Sequence, residues 1–75
     1  MNYRTHIDAN PSIMLGKPKI KGTRITVELI LRKLADGYEI GEIIEMYPHL
    51  TVNAVLASIA YAADILESES MIAVA

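Results

Sequence analysis

Residues 16–37 read GKPKIKGTRITVELILRKLADG, and the change of pattern inside this stretch decides the fold. In its first half Ile20 sits between Lys19 and Lys21, and Gly22 falls where the chain must turn before Ile25 and Val27. That alternation predicts a short strand or extended loop over Lys19 to Arg24. Thr26 then offers a hydroxyl that can accept from a free backbone N–H in a first helical turn, and Glu28 follows where the helix dipole favours an anion. Val27, Ile30, Leu31 and Leu34 have the i, i+3, i+4, i+7 spacing of a buried stripe, which predicts a helix to about Asp36. Glu28 and Arg32 are oriented favourably at i, i+4, and Gly37 supplies a left-handed C-terminal cap.

Downstream, a shorter helix is expected from about Ile40 to Tyr47. Ile40, Ile43, Ile44 and Tyr47 form its apolar face, while Glu39, Glu42 and Glu45 face water. Gly41 weakens it and Pro48 ends it. Thr51 caps a third helix over about Val52 to Glu67, with Val52, Val55, Leu56, Ile59, Ala63 and Leu66 as the expected core stripe. Ala54, Ala57, Ala60 and Ala62 leave its other faces thin, so this helix is expected to be contacted on more than one side. Ser68 and Ser70 then weaken the helix before an apolar end, whose Met71, Ile72 and Val74 are candidate partner-binding residues. Three readings of that end stand: packing on its own domain or a dimer mate, docking to another protein, or disorder.

Upstream, YRTHID at residues 3–8 alternates with a period of two and reads as a short strand, ended by Asn10 and Pro11. Ser12 to Leu15 is a second apolar piece, closed by Gly16 and Pro18. A ribbon of two short strands is not stable alone and must lie on helices.

These pieces make one domain over residues 1–75, with a core over 3–67 and an apolar tail over 68–75. A chain of this length buries only about 60% of its unfolded surface. With 52% hydrophobic residues, no cysteine and no Cys/His cluster, disulfides and structural zinc are not expected to supply the missing stability. A homodimer is the expected remedy. Charges interrupt every apolar run well before about 18 residues, and no signal peptide is read at the N-terminus, so a soluble cytoplasmic protein is expected.

The net charge of −2 conceals two halves of opposite sign. Residues 1–37 hold all seven Lys and Arg against Asp8, Glu28 and Asp36, for +4, whereas residues 38–75 hold six acids and no base, for −6. Either the first half offers a surface to an acidic partner, or the two halves pair with each other, within a protomer or across a dimer. Catalysis is not expected. His6 and Asp8 share a strand face but fall short of a zinc site, His49 reads as a turn residue, Ser58 and Ser68 lack an evident base, and Gly16 to Gly22 does not have the phosphate-loop spacing. No cofactor or metal is expected.

The run GKPKIKGTRITVELILRKLADGYEIGEIIEMYPHLT, with Val55 and the triplet Tyr61-Ala62-Ala63, resembles the bacterial and archaeal domain-of-unknown-function family numbered 433. The likeness covers roughly Ile7 to Ala63; its most specific pieces are Lys21-Gly22-Thr23-Arg24-Ile25 and Tyr47-Pro48-His49-Leu50-Thr51. The resemblance implies a mainly α fold, a three-helix homeodomain-like helix-turn-helix core with short N-terminal β-strands. It also implies an antitoxin of a type II toxin–antitoxin pair, which binds operator DNA and masks a PIN-like toxin nuclease. The sequence departs from the family pattern at Thr26, where proline is common, at Glu39, where a small hydroxyl residue is common, and at Val52 and Asn53, where acids are common. The first two exchange one helix-start device for another; the third alters the leading turn of the expected recognition helix.

A helix-turn-helix protein reads bases with the N-terminal residues of its second helix. Here those are Thr51, Val52, Asn53 and Ala54, of which Asn53 alone suits a bidentate contact, to adenine. From Tyr38 onward there is no Lys or Arg for phosphates. The nucleic-acid candidates are therefore Lys17, Lys19, Lys21 and Arg24 together with Asn53, supported by Arg32 and Lys33. The same cluster can be read as a solvated loop, and Arg24 as a tie between the loop and an acid or helix end. The alternative to a DNA-binding antitoxin is a dimeric interaction module that keeps the helix-turn-helix fold without binding DNA.

Overall fold

The computed structural model describes residues 1–9 and 16–73, with side chains to Ser68. The chain is mainly helical. A 3-10 turn at Tyr3–Thr5 leads into strand β1 (Ile7–Asp8), then strand β2 (Lys19–Ile20), then helices α1 (Val27–Ala35), α2 (Ile40–Met46) and α3 (Val52–Ala73). The strands pair antiparallel, with Ile7 opposite Ile20 and Asp8 opposite Lys19. This ribbon buries both isoleucines on the helices, as a two-stranded ribbon requires.

The strand expected over residues 3–8 is thus confined to Ile7–Asp8. Asn2 captures the segment before it: its side-chain oxygen accepts from the Arg4 N–H at 3.1 Å, and the Thr5 hydroxyl donates to the Asn2 carbonyl at 3.1 Å. Such local bonds compete with a strand ladder. The turn also aims Tyr3 edge-on at Tyr61 of α3, ring centroids 5.4 Å apart. The apolar piece expected at Ser12 to Leu15 lies outside the described residues.

Helix α1 begins and ends as its sequence dictates. The Thr26 hydroxyl accepts from the Leu29 N–H at 3.1 Å. At the other end Gly37, at φ +98°, allows the Gly37 N–H to reach the Leu34 carbonyl and the Tyr38 N–H to reach that of Lys33, a pair of bonds that satisfies carbonyls the helix leaves open. In α2 the Glu42 carboxylate reaches back to the Glu39 N–H at 2.9 Å, so glutamate does the capping that a hydroxyl residue would do elsewhere. The Tyr47-Pro48-His49-Leu50 turn then closes with the Leu50 N–H on the Tyr47 carbonyl at 2.9 Å, and the Thr51 hydroxyl accepts from the Ala54 N–H at 3.1 Å to start α3.

The core comprises Ile7, Ile20, Val27, Ile30, Ile43, Leu50, Ala54, Val55 and Ala57, flanked by Leu31, Leu34, Ile40, Ile44, Tyr47 and Tyr61. Buried Ser58 is satisfied by donating to the Ala54 carbonyl at 3.1 Å. Two expectations about α3 are corrected. Of the expected stripe Val55 is buried, beside Ala54, Ala57 and Ser58, whereas Val52, Leu56, Ile59, Ala63 and Leu66 are exposed. The small side chains of α3 face the core shared with α1 and α2, and its larger residues are turned outward. The helix also runs past Glu67, to 22 residues. Within it the Ser68 hydroxyl donates to the Asp64 carbonyl at 3.3 Å, the i−4 bond a serine inside a helix makes.

Candidate functional site

Two features bear on function: the basic loop between β2 and α1, and the outward face of α3. The loop is tightly held. The Ile20 N–H donates to the Ile25 carbonyl at 2.9 Å, and the Lys21 N–H to the His6 carbonyl at 2.8 Å. Inside it, the Thr23 hydroxyl donates to the Ile20 carbonyl at 2.8 Å and accepts from the Ile25 N–H at 3.0 Å. Gly22, at φ +77° with open space where a side chain would begin, makes the turn. The Lys21-Gly22-Thr23-Arg24-Ile25 run is therefore a self-bonded loop, held by its backbone and by the Thr23 hydroxyl.

The four basic candidates do not stand alike on this loop. Lys19 is half-buried, and its ammonium donates to the Thr23 carbonyl at 3.0 Å, bracing the turn. Lys17 is exposed but lies 3.5 Å from the Glu28 carboxylate, which Arg32 also holds at 3.0 Å. That carboxyl is held below its ordinary value, first by the Arg32 hydrogen bond and then by the charge of Lys17. Lys21 and Arg24 are exposed and make no ion pair among the described residues. The expected i, i+4 pair of Glu28 and Arg32 is thus present, whereas among the described residues no acid or helix end is joined to Arg24. Lys33 lies over the Tyr38 ring, 5.3 Å from its centroid, a cation–π contact. Asn53 is exposed on the first turn of α3, and no hydrogen bond joins it to the basic loop among the described residues.

The outward face of α3 is a feature that periodicity pointed to and assigned to the wrong side. Val52 is 51% exposed, Leu56 and Ile59 40% each, and Leu66 61%. Beside this face, α1 and α3 flank an apolar groove of about 530 Å³ lined by Val27, Leu31, Ala35, Tyr61 and Ile65, with Glu28 and Arg32 at its rim. At the other side of α3, the Asp64 carboxylate beside the Tyr3 hydroxyl raises that group above its ordinary value of 10.0. The side chains of Met71 and Ile72, and Val74 entirely, lie outside the described residues.

Among the described residues no group of three or more His, Cys, Asp or Glu could hold a metal ion, and no helix is long and apolar enough to cross a membrane. No curated protein and no solved structure matches the chain. The family described as "Protein of unknown function (DUF433)" matches residues 7–62. That span takes in the ribbon, the basic loop, α1, α2 and the first half of α3, and the chain belongs to this family.

Proposed function

We propose that this protein works by binding rather than by chemistry, as an antitoxin-like homodimer in the cytoplasm that contacts operator DNA through the basic loop and a PIN-like toxin nuclease through the far end of α3. The observation that carries the DNA part is the pair of exposed cations, Lys21 and Arg24, on a loop whose backbone is fixed by its own hydrogen bonds. A rigid loop presents charge to phosphates at little entropic cost, and phosphate contacts supply most of the affinity of such interfaces. In this reading α2, the Tyr47 to Leu50 turn and α3 form the helix-turn-helix unit, with Asn53 the one base-reading side chain of its first turn. Support for the toxin part is the second half of α3, where residues 63–68 are all exposed and include Ile65 and Leu66, next to the apolar groove on α1. Met71, Ile72 and Val74 continue that apolar content.

Gel retardation of the promoter fragment upstream of its own gene tests the DNA part. Two phosphate contacts per protomer give a log–log salt slope of about −1.8, or about −3.6 for a dimer. Lys21→Glu with Arg24→Glu is expected to abolish retardation. Lys19→Glu is a poorer probe because it also removes the brace on Thr23. Absence of salt-sensitive retardation by the unmodified protein would favour the second reading, an interaction module with this fold that does not bind DNA. That reading has its own observation: the first two turns of α3 expose Val52, Leu56 and Ile59 and carry no cation.

A further inference from the structure

We infer that the outward face of α3 is the homodimer seam, with two copies of the helix packed antiparallel about a two-fold axis at Ile59. The inference deepens the homodimer part of the function proposed above; it assigns Ala63 and Leu66 to the seam and so leaves Ile65 and the chain beyond it for the toxin contact.

The face has the period of a helix–helix contact. Val52, Leu56, Ile59, Ala63 and Leu66 are spaced four, three, four and three residues apart, the 3.5-residue repeat that keeps an apolar stripe facing a partner helix. All five are exposed, although the opposite face of the same helix is buried in the core. Four of the eight large apolar side chains exposed among the described residues lie on this line. The occupant is narrowed by charge. Residues 52–68 contain no Lys or Arg, which disfavours nucleic acid, and Asp64 and Glu67 disfavour an anionic lipid surface.

A second copy fits in one direction better than the other. In the antiparallel arrangement Val52 meets the other copy's Leu66, Leu56 meets Ala63, and Ile59 meets itself, so that large residues face small ones over about 21 Å of helix. Glu67 then lies opposite Thr51 of the other copy, where the open N–H groups at the start of α3 favour an anion, and the two helix dipoles oppose each other. A parallel arrangement would set Ala63 against Ala63, leaving a gap, and would bring Asp64 and Glu67 beside their own copies. The spacing is also self-complementary, as a two-fold interface demands.

The chain has no cysteine, so single introduced cysteines report the register through the shortest bismaleimide cross-linker. Ile59→Cys alone is expected to yield cross-linked dimer about tenfold above a Glu45→Cys control, because a preformed pair raises the effective concentration of its two thiols. Val52→Cys and Leu66→Cys are each expected to stay near the control when alone and to cross-link when mixed. Circular dichroism verifies that each variant is folded. Self-cross-linking of Leu66→Cys without the mixed product would overturn the antiparallel seam, and no cross-linking above control at any of these positions would overturn the seam altogether.

Discussion

The two sides of α3 differ in the opposite sense from an ordinary amphipathic helix. The side facing the core carries Ala54, Val55, Ala57 and Ser58, while the side facing away carries Val52, Leu56, Ile59 and Leu66. Size, not polarity, separates them. Small residues are placed where the core elements pack against α3, and large apolar residues are placed where the described residues leave them exposed. In a 75-residue chain without a disulfide, this division suits a helix that serves two layers at once, its own core and a second subunit.

The largest effects should come from disturbing the crowded side. Ala57, fully buried, has no room for growth; Ala57→Leu is expected to cost about 1–3 kcal/mol in urea unfolding. On the outward side Leu56→Glu should leave the far-UV circular dichroism intact and remove the concentration dependence of the unfolding midpoint, since that dependence reflects association. If both substitutions lowered stability equally at every concentration, the two sides would not be playing different parts.

Smaller effects sharpen the comparison at the ends of the helices. Thr51→Ala removes the acceptor that meets the Ala54 N–H and should cost about 1 kcal/mol. Gly41 lies in α2 with open space where a side chain would begin, so Gly41→Ala should raise stability by about 0.5–1 kcal/mol, read as a higher melting temperature. The smallest effect concerns pH. The folded Glu28 carboxyl lies below its ordinary value of 4.5, so its contribution is present above that pH and is lost as pH falls through the folded value. Acid titration of stability should show a slightly shallower loss in Arg32→Ala than in the unmodified protein, small because the pair is exposed.

Much of this fold is legible in local chemistry. Thr26, Gly37, Glu39 and Thr51 set helix boundaries through bonds with their immediate neighbours, and Pro48 stops α2 by its ring, so α1, α2 and the start of α3 could be read almost to the residue, whereas the end of α3, six residues past Glu67, could not. What the sequence concealed depended on distance. Which face of α3 turns inward is decided by how closely α1 and α2 approach it, and two apolar faces on one helix give periodicity nothing to choose between. The turn at residues 3–5 is set locally by Asn2, but its partner, Tyr61 of α3, lies far along the chain. Lys19 and Lys21, alike in sequence, were separated only by the fold, which aims one at the Thr23 carbonyl and leaves the other exposed.

Sedimentation equilibrium on the unmodified protein and on Ile59→Glu, over a wide range of concentrations, addresses the claim about α3 most directly. The unmodified protein should approach twice the 8.3 kDa chain mass and the variant should remain at the chain mass, both with native circular dichroism. An unmodified protein that stays at the chain mass at every concentration would contradict it.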